Sequence, residues 1–78
     1  MLSEAPAQCR AARGLVELDQ AALAEAAKIS RNTVVSFEKG QRIPGASNLH
    51  AIQRALEAAG VEFIAENGGA GVRLRKSG

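Results

Sequence analysis

The fold is decided by the stretch QAALAEAAKISRNTVVSFEKG, residues 20–40. Its first part predicts a short helix, Gln20–Ala27, because Asp19 is a good N-cap and apolar or small residues follow at helical spacing. Ser30 is a second N-cap, and it predicts another helix over residues 31–39. The stretch therefore encodes two short helices in close succession.

Only three residues, 28–30, separate the two predicted helices. The second helix opens with polar residues and then turns apolar side chains inward, and Gly40 suits the left-handed conformation that ends a helix. Two short helices joined by such a turn are the outline of a helix-turn-helix. The inner positions of the two helices are predicted to be Leu23, Ala24, Ala27, Val34 and Phe37.

Helices are also predicted on either side of this stretch. Pro6 suits the first turn of a helix, and apolar residues recur after it at helical spacing. After a loop over residues 41–46, Ser47 is predicted to cap a fourth helix that Gly60 ends. The apolar stripes of these helices are Ala5, Cys9, Ala12, Leu15 and Val16 in the first, and Leu49, Ile52, Leu56 and Ala59 in the fourth.

Beyond Gly60 the hydrophobic period changes from helical spacing to alternation. Apolar and polar residues alternate over 61–66 and again over 72–75, and the glycine-rich segment 67–71 lies between them. The fold class is therefore predicted as mainly α, a compact helix-turn-helix bundle of four or five helices followed by a C-terminal β-hairpin. Residues 1–60 form the helical domain in this interpretation, and residues 61–78 form the hairpin.

The composition excludes several classes of protein. The chain has 78 residues, and 16 of its apolar residues are alanine, so a small helical core that benefits from a partner subunit is expected. No apolar run is long enough to cross a bilayer, and the N-terminus lacks the pattern of a secretory signal. One cysteine and one histidine predict no disulfide framework, no metal and no cofactor. A reducing, cytoplasmic location fits this usage.

The basic residues are concentrated in the middle of the chain. The net charge is only +2, but residues 28–42 carry four basic side chains against one acidic one. Such a concentration suits phosphate, although a merely solvated charged face explains it equally well.

The segment QCRAARGLVELDQAALAEAAKISRNTVVSFEKGQRIP and the helix after it, residues 8–59, resemble the phage-repressor-like (XRE-type) helix-turn-helix regulators. The shared features are an arginine-rich first helix, a Gln that opens the second helix, a Ser that caps the third, a Glu-x-Gly near its end and a Pro four residues later. Lys28 departs from the family, which usually has a left-handed glycine there. A non-glycine residue at such a position costs roughly 1–2 kcal/mol, so a less tight turn is expected.

The resemblance implies a DNA-binding domain whose third helix lies in the major groove of double-stranded DNA. It places base-reading side chains on that helix, where Arg suits guanine and Asn suits adenine. The base-reading candidates are Arg31, Asn32 and Ser36. The phosphate-binding candidates are Gln20, Ser30, Thr33, Lys39, Gln41 and Arg42. The resemblance also implies a structural salt bridge between Arg13 and Glu38.

Other reactive residues are interpreted as structural. Cys9 falls on the apolar stripe of the first helix, and His50 is expected at the surface. The glycine-rich segment 67–71 fits no phosphate-binding loop pattern and is expected to be a hairpin turn. No catalytic constellation is found in the sequence, so the chain is predicted not to be an enzyme.

A single helix-turn-helix reads about half a DNA site, so a homodimer on a palindrome is expected. The hairpin is the candidate dimerisation element, through Val61, Phe63, Ile64, Val72 and Leu74. The alternative is a hairpin folded back on its own helices. For the function, occlusion of a promoter by a repressor is the first interpretation. A DNA-binding antitoxin with a toxin protein as its partner, or a protein-interaction module without DNA binding, are the alternatives.

Overall fold

The computed structural model describes residues 6–66 and 69–75 of the chain. The helices of this part are four, and an antiparallel hairpin follows them, which confirms the mainly α fold predicted from the sequence. The elements are α1 (Pro6–Val16), α2 (Gln20–Ala27), α3 (Arg31–Glu38), α4 (Ala46–Ala58), β1 (Val61–Glu66) and β2 (Gly69–Leu74).

One hydrophobic core joins all four helices and the first strand. Helix α2 packs between α3 and α4, while α1 packs against α3 and β2. The inner positions predicted for α2 and α3 are all buried, whereas Ala59, predicted on the inner stripe of α4, is exposed at the end of that helix. The buried hydrophobic residues are Cys9, Ala12, Leu23, Ala24, Ala27, Val34, Phe37, Ile52, Leu56 and Val61.

Both caps predicted for the central helices are present. The side chain of Asp19 accepts a hydrogen bond from the backbone N–H of Ala22 at 2.7 Å. The hydroxyl oxygen of Ser30 accepts one from the backbone N–H of Thr33 at 3.1 Å. Each cap satisfies an N–H group that has no partner within its helix.

The start of α4 differs from the prediction. The helix begins at Ala46 with Gly45 as its N-cap residue, so Ser47 lies inside the first turn and does not cap the helix. Gly45 has an extended backbone, and its carbonyl accepts from the backbone N–H of Leu49 at 3.0 Å. Glycine is tolerated at the N-cap position, and the preceding Pro44 is buried, which fixes where the chain enters the helix.

Three helices end with the same pair of backbone hydrogen bonds, in which a residue of left-handed conformation closes the last turn. At the end of α3 this residue is Gly40, with φ +74°, as the sequence predicts. At the ends of α1 and α2 it is a non-glycine residue, Glu17 with φ 55° and Lys28 with φ 59°. Left-handed backbone is unfavourable for residues that carry a Cβ atom.

The turn at Lys28 is nevertheless tight, which contradicts the expectation of a looser turn. The N–H of Lys28 donates to the carbonyl of Glu25 at 3.2 Å, and that of Ile29 donates to Ala24 at 3.0 Å. Ile29 is half-buried against the core, next to the helix that it follows. This apolar contact accompanies the hydrogen-bond pair in many helix ends and offsets the backbone strain.

The hairpin packs on the helices of its own chain, as in the alternative that the sequence left open. The register pairs Phe63 with Val72 and Val61 with Leu74, so these four side chains share one face. Val61 is fully buried, and Phe63 and Val72 pack against the core. The hairpin is therefore part of the monomer's fold, and Val61 is not accessible to a second chain.

The predicted hairpin loop is too long. Residues 69–71, assigned to a loop because of their glycines, pair with β1 as the start of β2. Helix α1 supports this segment, because the side-chain amide of Gln8 donates to the carbonyl of Gly71 at 3.1 Å. The rest of the predicted loop, residues 67 and 68, lies outside the described residues.

We expect Lys28→Gly to stabilise the fold, because glycine adopts the left-handed conformation without steric cost. The gain in the free energy of unfolding should be about 1 kcal/mol, since glycine also loses more chain entropy on folding. Urea denaturation of the two proteins measures it. The matched control is Lys28→Ala, which removes the same charge but keeps a Cβ atom. An equal gain in this control would show that charge, and not backbone conformation, is responsible.

Candidate nucleic-acid interface

Helix α3 presents a strip of mostly polar side chains on the side away from the core. Val34, Phe37 and Glu38 are buried on its inner side. Residues three and four positions apart share a face of a helix, so the opposite side carries one continuous set, which we call the outer strip. The outer strip consists of Arg31, Asn32, Val35, Ser36 and Lys39, of which Val35 and Ser36 are half-buried and the others exposed.

The start of α3 is pre-ordered by its cap. The hydroxyl oxygens of Ser30 and Thr33 lie 2.8 Å apart and are hydrogen-bonded to each other. No acidic residue occupies the first turn of α3. Because a helix N-terminus carries partial positive charge and free N–H groups, this turn is suited to an anion such as a phosphate, whereas the carboxylate of Asp19 already caps the start of α2.

The positive charge of the central segment is on the surface. The basic residues Lys28, Arg31, Lys39 and Arg42 are all exposed. The one acidic residue among residues 28–42 is Glu38, whose side chain is buried and paired with Arg13. The charge that the segment presents to solvent is therefore more positive than its formal sum indicates. This distribution favours phosphate contacts over a face of mixed charge.

The carboxylate of Glu38 joins three helices. Its two oxygens accept hydrogen bonds from Nε and Nη2 of Arg13 in α1, each at 2.7 Å. The thiol of Cys9, also in α1, donates to Oε2 at 3.1 Å, and the side-chain amide of Gln20 in α2 donates to Oε1 at 3.1 Å. The salt bridge between the first and third helices that the resemblance implies is thus present, with two further partners.

Glu38 stays ionised although it is only 3% exposed. Burial alone raises the pKa of a carboxyl, but the hydrogen bonds from Arg13, Cys9 and Gln20 outweigh it and hold the pKa of Glu38 below its ordinary value. Burial, together with the hydrogen bond to Glu38, raises the pKa of the Cys9 thiol. Cys9 is therefore a buried, protonated donor of low reactivity, in agreement with its interpretation as a core residue.

Two more hydrogen bonds anchor this network to the backbone. Nη1 of Arg13 donates to the carbonyl of Leu18, in the connection between α1 and α2, at 2.9 Å. Nη1 of Arg10 donates to the backbone carbonyl of Glu38 at the end of α3. The arginines of α1 thus hold the end of α3 and the start of α2 in one arrangement.

Gln20 has a structural contact that the sequence did not predict. Its side-chain amide is half-buried and donates to Glu38, although the residue was assigned to a phosphate. A primary amide has two N–H donors, so one donor remains beyond this bond. The first N–H groups of α2 also have no partner within the helix. A phosphate contact at the start of α2 is compatible with this arrangement.

Val35 is a candidate that the sequence analysis missed. It lies on the outer strip, four residues after Arg31 and three after Asn32, and it is half-buried. The available signal was its place directly after Val34. Two adjacent positions of a helix point in directions about 100° apart, so both valines cannot face the core.

The remaining predicted residues differ in their exposure to solvent. Gln41 and Arg42 are exposed in the connection between α3 and α4, beside the outer strip in sequence. Among the dimerisation candidates, Leu74 is 54% exposed and Ile64 is half-buried on the face opposite Val61. His50 is exposed, as expected.

The described part of the chain offers neither a metal-binding cluster nor a membrane-spanning helix. Within residues 6–66 and 69–75, no group of three or more His, Cys, Asp or Glu side chains is arranged to hold a metal ion. None of the helices there is both long enough and apolar enough to span a bilayer.

Two Glu–Arg pairs of the described residues differ in burial, so we expect their removal to lower the free energy of unfolding by different amounts. Glu38→Gln should lower the free energy of unfolding by about 3 kcal/mol, because it leaves Arg13 without its buried partner. Glu62→Gln removes the partner of Arg73 on the exposed face of the hairpin, where an ion pair contributes at most about 1 kcal/mol. Urea denaturation at neutral pH compares the two variants with the parent protein. Equal losses would contradict the role assigned to the Glu38 network.

The comparisons agree with this geometry. No curated protein matches the chain. A family model described as Helix-turn-helix, of the XRE type, matches residues 10–63. The match spans most of α1 and all of α2, α3 and α4. It includes the whole outer strip and every member of the Glu38 network apart from Cys9. The chain belongs to the XRE-type helix-turn-helix family of DNA-binding transcription regulators.

Proposed function

We propose that the chain is a cytoplasmic repressor that binds a palindromic operator as a homodimer, with α3 of each copy in the major groove. The observation that carries the proposal is the outer strip, in which exposed Arg31 and Asn32 stand at the capped start of α3. Arg pairs with the acceptors of guanine, and Asn pairs with adenine, in that groove. Bound at a promoter, such a dimer would exclude RNA polymerase.

The proposal divides the polar residues into two roles. Arg31, Asn32 and Ser36 lie on the outer strip and read base edges. Residues around them bind the phosphate backbone, which fixes the position of the domain without reading sequence. These phosphate-binding residues are Gln20, Ser30, Thr33, Lys39, Gln41 and Arg42. The exposure of Lys39 and Arg42, and the absence of an acidic residue from the first turn of α3, support this division.

Dimerisation through the hairpin is the second part of the proposal. The sheet has two strands, so each strand has an edge that no other strand of the described chain covers. Such edges pair readily with a second chain. Leu74, 54% exposed at the end of β2, and half-buried Ile64 place apolar surface beside these edges. Of the other predicted contacts, half-buried Phe63 and Val72 lie on the same face as Leu74 and would support the contact there, whereas Val61 is fully buried.

Substitutions on α3 and in the following connection test the division of roles. Arg31→Ala or Asn32→Ala should cost about 1–3 kcal/mol on the selected site and relax the preference at one base pair. Lys39→Ala or Arg42→Ala should weaken binding to all sequences equally. Each should also reduce the steepness with which the logarithm of the association constant falls with the logarithm of salt concentration, by about one.

The measurement begins with selection of sites from a random duplex library at near-physiological salt. Titrations of the selected duplex and of a scrambled duplex over a range of salt concentrations follow. A palindrome with half-sites one helical turn apart supports the dimer. Identical behaviour of all four variants would refute the division into base-reading and phosphate-binding residues.

The hairpin contact is tested by the double variant Ile64→Lys/Leu74→Lys. We expect it to lower the mass in solution from dimer to monomer, because charges at a two-fold contact repel, and to weaken binding to the palindrome. Sedimentation measures the mass. The matched control is Ile43→Lys, which adds a charge at an equally exposed apolar residue, 59% exposed in the connection before α4. A dimeric double variant would mean that the copies associate elsewhere.

The exposed end of β2 also favours a second candidate function, a DNA-binding antitoxin whose hairpin holds a toxin protein. A reading frame for such a protein next to the gene, and a stable complex after co-expression of both, would support it. In that case the Ile64→Lys/Leu74→Lys variant should lose the complex and keep binding to a single half-site.

A further inference from the structure

Val35 is not part of the hydrophobic core that the described residues form. It is a hydrophobic residue on the outer strip of α3, half-buried between polar neighbours. It does not pack against the hydrophobic core that the described residues form, whereas the adjacent Val34 is fully buried in it. Valine also has a lower helix propensity than alanine. Neither packing against the core of the described residues nor helix propensity therefore explains a valine at this position.

The position of Val35 limits what it can meet. It lies one turn after Arg31 and is flanked on the strip by Asn32 and Ser36. A surface that contacts these polar side chains therefore contacts Val35 as well. On the base edges of the major groove the donors and acceptors are polar, and the apolar feature is the C5-methyl group of thymine.

We infer that Val35 is a specificity-determining residue that selects a thymine in each half-site, through contact of its γ-methyl groups with the thymine C5-methyl. The inference rests on the proposed function, and it adds apolar readout to the hydrogen bonds assigned to Arg31, Asn32 and Ser36. A valine in a helix adopts one χ1 rotamer almost exclusively. Its methyl groups are therefore fixed before DNA binds, and the contact costs little side-chain entropy.

The test removes a methyl group from each partner in turn. The full-length chain first selects its duplex from a random library. Each thymine of that duplex is then replaced singly by deoxyuridine, which lacks only the C5-methyl, and the Kd is measured at one fixed salt concentration. The parent protein should lose about fourfold at one symmetric thymine position, the equivalent of roughly 0.8 kcal/mol for a buried methyl-sized group.

The same series with Val35→Ala shows whether this residue makes the contact. The variant should bind the unmodified duplex more weakly and lose nothing further on uracil at that position. Circular dichroism checks its fold, which the position of Val35 outside the core of the described residues and the helix propensity of alanine favour. The matched control is Ser36→Ala, its neighbour on the strip, which should keep the fourfold uracil penalty at the Val35 position.

The outcomes separate this inference from the proposed function. An enriched duplex in which every uracil substitution weakens the parent protein and Val35→Ala by the same factor would overturn the role of Val35 alone. A selected half-site without thymine would do so too. If no duplex is enriched, the proposed function fails and the inference fails with it.

Discussion

The arrangement of the first three helices depends on one buried carboxylate. Glu38 is the last residue of α3, where the helix dipole disfavours negative charge, and it is almost inaccessible to water. An unpaired charge in such a place is strongly unfavourable. Arg13 compensates the charge of Glu38 through two hydrogen bonds of 2.7 Å. Cys9 and Gln20 each donate a further hydrogen bond to the carboxylate oxygens. Because these bonds are directional, one relative placement of α1, α2 and α3 satisfies all of them.

This placement links the core to the outer strip, the surface that we propose contacts DNA. Glu38 faces inward from the same eight-residue helix whose other side carries the outer strip. Fixing the carboxylate therefore fixes the rotation of α3 about its own axis, and with it the direction of Arg31 and Asn32. Rigid presentation matters for base readout, because hydrogen bonds to base edges depend on geometry as much as on distance. In the proposed complex the network would therefore serve recognition, although none of its buried members lies on the strip.

The left-handed residues show how far local rules predicted the chain. Asp19 and Ser30 cap helices with their side chains, and Gly40 ends a helix because it lacks one. The sequence predicts these three positions correctly. Glu17 and Lys28 end their helices against their own preference. Their backbone is held by hydrogen bonds to the preceding turn and by the half-buried Leu18 and Ile29 that follow them. A rule that asks for glycine at a helix end misses such positions.

The features that the sequence did not predict arise mostly from contacts between distant segments. The hydrogen bond from Gln20 to Glu38, for example, requires knowledge of how α2 crosses α3. Residues 69–71 read as loop because of their glycines, but Gln8 and the register with β1 hold them in a strand. The Arg13–Glu38 pair came from the family resemblance and not from spacing. Local sequence signals predicted most of the elements, whereas the partners of polar side chains followed from the tertiary fold.

The dimensions of α3 are the physical reason for proposing that two copies bind one specific site. Eight residues give a helix about 12 Å long, roughly the width of the major groove and a third of a helical turn of DNA. Such a helix reaches a few base pairs, and each readable pair is worth about 1–3 kcal/mol of discrimination. A genome offers on the order of a million or more competing sites, which a few contacts do not outweigh. A second copy doubles the number of base pairs read. It also requires a fixed separation near 34 Å, which a contact between the two copies would supply. In the proposed dimer, residues 20–40 present α3 to DNA, and the hairpin, whose strand edges no other strand of the described residues covers, provides that contact.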